Sequence, residues 1–337
     1  MVPRFHQNLY FATRALLKAG HGVSVISSEE SPLELHDLVV PTVAGEKFDF
    51  EELRKIVLYF QPSVAILRES GGLSDSVARL LSRSKTIRIH YDLHSLYNSG
   101  YLFNLLTRLA QKKPARRITP VRGTKGIFFK DPFATYLPWP VGEAATGLDK
   151  NLDGPLRVLC VGKLQQPRKN QFFLLEAIRT QLMDGKILLT LVGDATARAS
   201  EADTKYYQHL KEMASSFGGS VRLFENVQFS HMGEFYRSHD VCVLPARREP
   251  LGQAPLEGMA YGCLPILSDQ CGSAGSIESG IDGFVFGLNN QLELQSIMHK
   301  LDLDRQLLHK MRARAMETAS SDLSESKFVC RFEAMLK

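Results

Sequence analysis

No stretch of this 337-residue chain is apolar for the length of a membrane-crossing helix, and Met1-Val2-Pro3-Arg4 is not expected to open a signal peptide. Cysteine is sparse: the five residues, at 160, 242, 263, 271 and 330, show neither paired nor zinc-like spacing. An odd count argues against a disulfide framework and for a reducing compartment, the cytoplasm, with Cys160 and Cys242 as buried thiols inside strands. Internal repeats and low-complexity tracts are also missing, which excludes solenoids and linker-like tails. Tryptophan occurs once, at position 139. Acidic residues are absent from 101–130, where eight basic ones gather: Arg108, Lys112, Lys113, Arg116, Arg117, Arg122, Lys125 and Lys130.

What is present is ordinary for a globular protein, with 44% hydrophobic and 23% charged residues. The length suits two domains rather than one core. The net charge of +5 is uneven: residues 1–140 hold 19 basic against 12 acidic residues, and the remainder 22 against 24. The basic block begins with the apolar run Tyr101-Leu102-Phe103-Asn104-Leu105-Leu106, so it reads either as a segment for an anionic membrane surface or as a solvated helix beside a basic loop. No nucleic-acid-reading motif accompanies the charge, and nucleic acid is not an expected partner.

Strand-like and helix-like segments alternate from end to end, the pattern of parallel α/β layers. In the first half, 22–27, 63–68 and 86–91 read as strands and 7–18, 50–60, 72–83 and 101–112 as helices. Three prolines within 131–141 disfavour a helix, so the domain connection is expected there. A second alternation begins at Leu156-Arg157-Val158-Leu159-Cys160-Val161-Gly162 and continues through 186–192, 221–224, 241–244 and 264–268. The tail from about 290 is helical. The expected domains are 1–140 and 141–320, with 321–337 a last helix returning to the first domain. Only Met1-Val2-Pro3 precedes the loop Arg4–Asn8, so the opening strand of the first domain is expected to be truncated.

The most informative stretch is Arg248-Glu249-Pro250-Leu251-Gly252-Gln253-Ala254-Pro255-Leu256-Glu257-Gly258-Met259-Ala260-Tyr261-Gly262. It follows a short apolar strand closed by a proline, Asp240-Val241-Cys242-Val243-Leu244-Pro245. Gly252 permits a tight turn, and Pro255 suits a first helical position, where its missing N–H has no partner to lose. A strand, a glycine turn and a helix start bring backbone N–H groups toward an anion. The two glutamates would instead accept hydrogen bonds from hydroxyls. Phosphate plus hydroxyls describes a nucleotide sugar.

These residues resemble the family 4 retaining glycosyltransferases of GT-B fold, over most of the second half and loosely over the first. The resemblance rests on Glu249-x7-Glu257, on the preceding strand, and on Val161-Gly162-Lys163-Leu164-Gln165-Gln166-Pro167-Arg168-Lys169-Asn170, similar to the family's cation-bearing strand-to-helix loop. It implies an α/β protein with two Rossmann-like doubly wound domains facing a central cleft. It implies that Glu249 holds donor-sugar hydroxyls, that Glu257 binds the ribose, and that Gly252, Gln253, Ala254, Pro255 and Leu256 line the donor site. Lys163 and Lys169 would neutralise the departing diphosphate in place of a metal ion or other cofactor. Lys163 stands where many relatives have arginine and so lacks a bidentate fork. Arg168 reads as a solvated neighbour.

A histidine at a strand end near the reacting groups is expected at His94, with His90 as runner-up and Asp92 as its orienting partner. The implied activity is hexosyl or aminohexosyl transfer from a nucleotide-diphosphate sugar to a glycan or lipid-linked acceptor, in bacterial polysaccharide or lipopolysaccharide assembly, with the enzyme cytoplasmic or peripheral on the inner membrane face. The rival readings are a non-catalytic nucleotide-sugar-binding partner protein and a GT-B enzyme of other chemistry, such as an epimerase. Base recognition would fall to loops at 192–194 and 225–227.

Overall fold

The structure, a computed structural model, describes residues 6–26, 42–43, 50–68, 72–91, 116–122, 134–142, 145, 147, 153–195 and 200–337. The chain divides into two compact units, one formed by Met1–Val121, Phe128–Pro140 and Glu325–Lys337, the other by Arg122–Ile127 and Val141–Ser324.

In the first unit, β1 (Val25–Ile26) and β2 (Thr42–Val43) pair in parallel. A second parallel sheet orders β3 (Val64–Arg68), β4 (Ile87–Tyr91), β5 (Arg116–Thr119) and β6 (Thr135–Tyr136) side by side. The helices His6–Lys18, Phe50–Phe60 and Gly72–Leu80 alternate with these strands, and Leu53, Val57, Leu67, Val77 and Leu81 bury together. The last turn of the expected 72–83 helix tightens to a 3-10 turn, Leu81–Arg83.

The C-terminal helix Glu325–Leu336 packs on His6–Lys18 through polar contacts: Glu325 accepts from Arg14 Nε at 2.6 Å and from Lys18 Nζ at 3.2 Å. Trp139 is buried beside it, with its Nε1 donating to Tyr91 Oη at 2.7 Å and its ring 6.0 Å from that of Phe328. The proline-rich stretch therefore works as an extended strap whose one large aromatic ring joins a strand of this unit to its terminal helix.

The second unit is a six-stranded, wholly parallel sheet. Its strands are β7 (Leu156–Val161), β8 (Ile187–Gly193), β9 (Val221–Glu225), β10 (Val241–Leu244), β11 (Leu264–Ser268) and β12 (Phe284–Phe286), in spatial order β12-β11-β10-β7-β8-β9. Every residue of β10 and β11 is buried, as expected of central strands covered on both faces by helices. Close approach is demanded at one point: a Cβ on Gly193, at the end of β8, would lie 1.8 Å from the Gly162 carbonyl oxygen.

Charge also fixes this unit internally. Asp240, just before β10, accepts from Arg157 Nε and Nη2 at 2.9 Å each and from Arg312 Nη1 at 3.3 Å. The fully buried Arg312 also donates through Nε to the Gly262 carbonyl at 2.6 Å. The long helix Arg305–Ser321 is thereby tied both to the start of β10 and to the turn that follows helix Gln253–Met259. Stripping one partner from such a buried pair costs about 3–5 kcal/mol.

Candidate functional site

Strand order places the site. Read from β9, the sheet runs third, second, first, fourth, fifth, sixth in its own sequence order, so the direction of winding reverses between β7 and β10. The loops leaving the carboxyl ends of those two neighbours meet at this switch point, the place where doubly wound sheets bind ligands. One loop carries Gly162–Asn170 and the other Pro245–Gly252.

The first loop turns through a 3-10 segment, Pro167–Lys169, and ends at Asn170 with φ of 61° before helix Gln171–Ala177. Four hydrogen bonds brace it. Gln171 Nε2 donates to the Lys163 carbonyl at 3.1 Å, and Tyr206 Oη donates to Gln171 Oε1 at 3.0 Å. Asn170 Nδ2 donates to the Pro245 carbonyl at 3.0 Å, and the Arg247 N–H to the Arg168 carbonyl at 2.7 Å. The last two bonds fasten this loop to the one bearing Glu249. The Lys169 stem lies across Gly162, where a Cβ would come within 3.1 Å of Lys169 Cδ. Glycine at the strand end therefore leaves room for the lysine to reach Glu249.

In the second loop, Glu249 is 7% exposed, and its Oε2 accepts from Lys169 Nζ at 2.5 Å and from Arg168 Nη1. Burial alone would push this carboxyl up; Lys169 and Arg168 together outweigh it and hold Glu249 below the ordinary carboxylate value. The sequence reading of Arg168 as a solvated neighbour is corrected here: its guanidinium is half-exposed, but it faces the carboxylate. Backbone pairing fixes Glu249 as well, with its N–H donating to the Gln270 carbonyl at 3.0 Å and its carbonyl accepting from the Gly272 N–H at 2.9 Å.

Gly252 has φ of 78°, a conformation that favours glycine, and a Cβ there would stand a tight 3.0 Å from Leu244 Cδ2. Helix Gln253–Met259 follows. Pro255 is its third residue, not its first; the position still suits proline, because the N–H groups of a first helical turn have no intrahelical acceptor. Beyond β11 the chain makes a 3-10 turn at Ala274–Ser276 and no further helix there. It braces the loop instead: Ser273 Oγ donates to the Gly252 carbonyl at 3.0 Å and the Ser273 N–H to the Leu251 carbonyl at 2.8 Å.

Glu257, on the same helix as Gln253, Ala254 and Leu256, is 6% exposed and accepts from Tyr236 Oη at 3.0 Å. Its surroundings are apolar, with Tyr236, Cys242 and Cys263 in one buried cluster. Burial raises its carboxyl to about 7, and the Tyr236 hydrogen bond offsets only part of that. Two carboxylates eight positions apart thus sit in opposite environments.

The structure brings together Lys169, Glu249, Gly252 and the helix that carries Gln253, Ala254, Pro255, Leu256 and Glu257. Lys163 stands partly buried on the same cation-bearing loop and forms no ion pair among the described residues. The 192–194 and 225–227 loops also adjoin, since the Asn226 N–H donates to the Gly193 carbonyl at 2.9 Å and Asn226 Oδ1 accepts from the Ala195 N–H at 3.2 Å. His94, Asp92 and most of 101–130 lie outside the described residues. His90 is partly buried in β4. Arg116 and Arg117 belong to β5 rather than to a free basic loop, and Arg116 Nη1 donates to the Met335 carbonyl.

One acidic signature escaped the sequence reading. Asp302-Leu303-Asp304 is an Asp-x-Asp triplet, but Asp302 pairs with Arg305 at 2.7 Å and Asp304 caps the next helix by accepting from the Leu307 N–H at 2.8 Å. Both carboxylates are committed to a helix junction. No group of three or more potential metal-ligating side chains occurs among the described residues. No helix among them is long and apolar enough to cross a membrane. Sequence reasoning also missed Asn170, Gln171 and Tyr236, which hold the site rather than line it.

The family model for glycosyl transferases group 1 matches residues 149–318, which include Lys163, Lys169, Glu249 and Glu257. Among curated proteins, the glycogen synthase of Pseudomonas syringae pv. syringae is 28% identical over 130 residues, 37% of this chain and 26% of its own length. The chain therefore matches only about a quarter of that relative. Among solved structures, a glycosyltransferase from Rickettsia africae superposes with a TM-score of 0.74 at 15% identity, covering 98% of this chain and 93% of the other. Anabaena HepE in complex with UDP gives 0.73 at 14% identity, covering 98% and 95%; the same protein has been solved with UDP-glucose. At such identities the likeness speaks for the fold, two parallel-sheet Rossmann-like domains of GT-B type. With its model spanning just over half of the sequence, the chain belongs to the glycosyl transferases group 1 family.

Proposed function

We propose that this protein is a retaining, metal-independent glycosyltransferase that moves a hexosyl or aminohexosyl unit from a nucleotide-diphosphate sugar to a hydroxyl of a glycan or lipid-linked acceptor, in cell-surface polysaccharide assembly. One observation carries the reading: a buried, ionised Glu249 facing the paired cations of the β7 loop across the switch point, with Glu257 one glycine turn away. Ligands of doubly wound sheets bind at that point. The UDP and UDP-glucose complexes of HepE support a uridine nucleotide donor.

In this reading the diphosphate lies against Lys163 and Lys169, the first amides of helix Gln253–Met259 meet donor oxygens, and Glu257 takes the ribose hydroxyls. Departure of the nucleoside diphosphate builds negative charge that fixed cations stabilise, which is the work a divalent ion would otherwise do. The donor's own phosphate oxygen takes the proton of the incoming hydroxyl, which bonds to the anomeric carbon on the face the diphosphate leaves, so anomeric configuration is retained without an enzyme nucleophile. His94 would position the acceptor hydroxyl.

The test is thermal stabilisation by UDP-, GDP-, ADP- and TDP-sugars, repeated with Glu257→Ala. A ligand at one hundred times its dissociation constant adds about 2.7 kcal/mol to the folded state. A shift with one nucleotide class that disappears in the variant is the expected result. No shift with any donor would overturn the reading.

A further inference from the structure

We propose that Arg168 is a positioning residue of the donor site, the cation that keeps the Glu249 carboxylate fixed while Lys169 turns to the donor's phosphates. The inference rests on the donor-site reading above and adds a residue to it. Two cations converge on a single oxygen, Glu249 Oε2, and Oε1 is left outside the ion pair. The cations are not equivalent: the Lys169 side chain is 12% exposed and that of Arg168 40%, so the ammonium is the inner charge and the guanidinium the outer one.

If Lys169 neutralises a departing diphosphate, it cannot spend its full charge on Glu249. A carboxylate this deeply buried, left with no counter-ion, would take up a proton or move. With Arg168 present it does neither. The guanidinium is well placed for this task, because the loop bearing it is bolted to the Glu249 loop at two points, through the Arg168 carbonyl and through Asn170. Arginine is also the cation that stays charged at every working pH. Among the described residues, the charged or titratable groups facing Glu249 are Arg168 and Lys169 from the β7 loop and the buried thiol of Cys271 from the loop after β11. The thiol offers no positive charge, so Arg168 alone can replace Lys169.

A direct role on phosphate makes a different prediction, and a matched pair of ligands separates the two. Calorimetric titrations of wild type, Arg168→Gln and Arg168→Lys use UDP and UDP-glucose, together with the corresponding pairs for guanosine, adenosine and thymidine. For the base that binds wild type, Arg168→Gln should leave the nucleoside diphosphate within about twofold and weaken the nucleotide sugar roughly tenfold. The loss should grow as pH falls from 8 to 6, and Arg168→Lys should restore most of it. Equal weakening of both ligands would make Arg168 a phosphate contact and overturn the proposal. Unchanged affinity for both would overturn it as well, while leaving the donor site standing. Failure of wild type to bind any of the nucleotides would overturn the donor site and this inference with it.

Discussion

Replacing Glu257 by glutamine should make the protein more stable and less able to hold a nucleotide, and the stability gain should depend on pH. The carboxyl titrates at about 7 in the folded chain against an ordinary 4.5, a difference that corresponds to about 3 kcal/mol. The folded state keeps its proton to higher pH than the unfolded chain, so the wild type loses stability as pH climbs from 4.5 toward 7. Above 7 the whole penalty is present; at pH 5 most of it has gone. Glutamine has the same shape, retains a carbonyl to accept from Tyr236 Oη, and carries no charge at either pH. A domain of this size shifts its melting temperature by about 2–4 °C per kcal/mol. The melting temperature of Glu257→Gln, measured against wild type by calorimetry, should therefore exceed it by roughly 5–10 °C more at pH 8 than at pH 5. A difference between variant and wild type that is the same at both pH values would refute the argument. The site would then be shown to hold its carboxylate at no cost, through water or backbone contacts, and the link between burial and function drawn here would fail.

Two further outcomes are expected. Gly193→Ala forces a Cβ to within 1.8 Å of the Gly162 carbonyl oxygen, and neither backbone can yield without parting β7 from β8. Destabilisation of about 3 kcal/mol or more should follow, read as a fall in melting temperature at any pH; a variant as stable as wild type would mean the two strands can slide. If the basic segment holds the protein on an anionic membrane, reversing Lys112 and Lys113 together should lower binding to phosphatidylserine vesicles by at least about thirtyfold, since each lysine near such a surface contributes about 1 kcal/mol. Flotation unchanged by the double reversal would remove the membrane as a partner. Arg116 and Arg117 are unsuited to this test because they are built into β5.

Much of the second unit was legible because its strands are short apolar runs closed by glycine or proline, and their spacing forces a parallel sheet. The bounds of 241–244 and 264–268 agree with the observed strands residue for residue. Glu249 and Glu257 stood out for the same reason: a glycine turn between a buried strand and a short helix leaves little else for two carboxylates to do. What was not legible is direction. Arg168 and Lys169 are neighbours in sequence, and nothing in that adjacency says that both point at one oxygen; the 3-10 turn and the left-handed Asn170 decide it. Tyr236 reads as one apolar position of an ordinary helix, and only the order of strands brings that helix under Glu257. β5 was missed because Arg116-Arg117 reads as part of a basic loop, whereas only Ile118 and Thr119 are buried.

The contrast between the two glutamates is the strongest physical argument that the site was shaped for a ligand. One helix turn and one glycine separate them, yet one is held ionised by two cations and the other is held near neutrality by an apolar cluster and a phenol. A stabilising core would have no use for the second arrangement, because a glutamine at 257 would fill the same space and still accept from Tyr236 Oη without the cost of a buried charge. Pairs of carboxylates driven apart in this way mark a division of labour. Glu249, ionised and fixed, suits a fixed hydrogen-bonding task beside the Arg168 and Lys169 cations. Glu257 gains full acceptor strength only when it loses its proton, and two vicinal hydroxyls donating to it would supply the solvation that the fold withholds. On the proposed reading, the penalty that burial places on the Glu257 carboxylate, about 3 kcal/mol, is what two ribose hydroxyls donating to a charged group would offset.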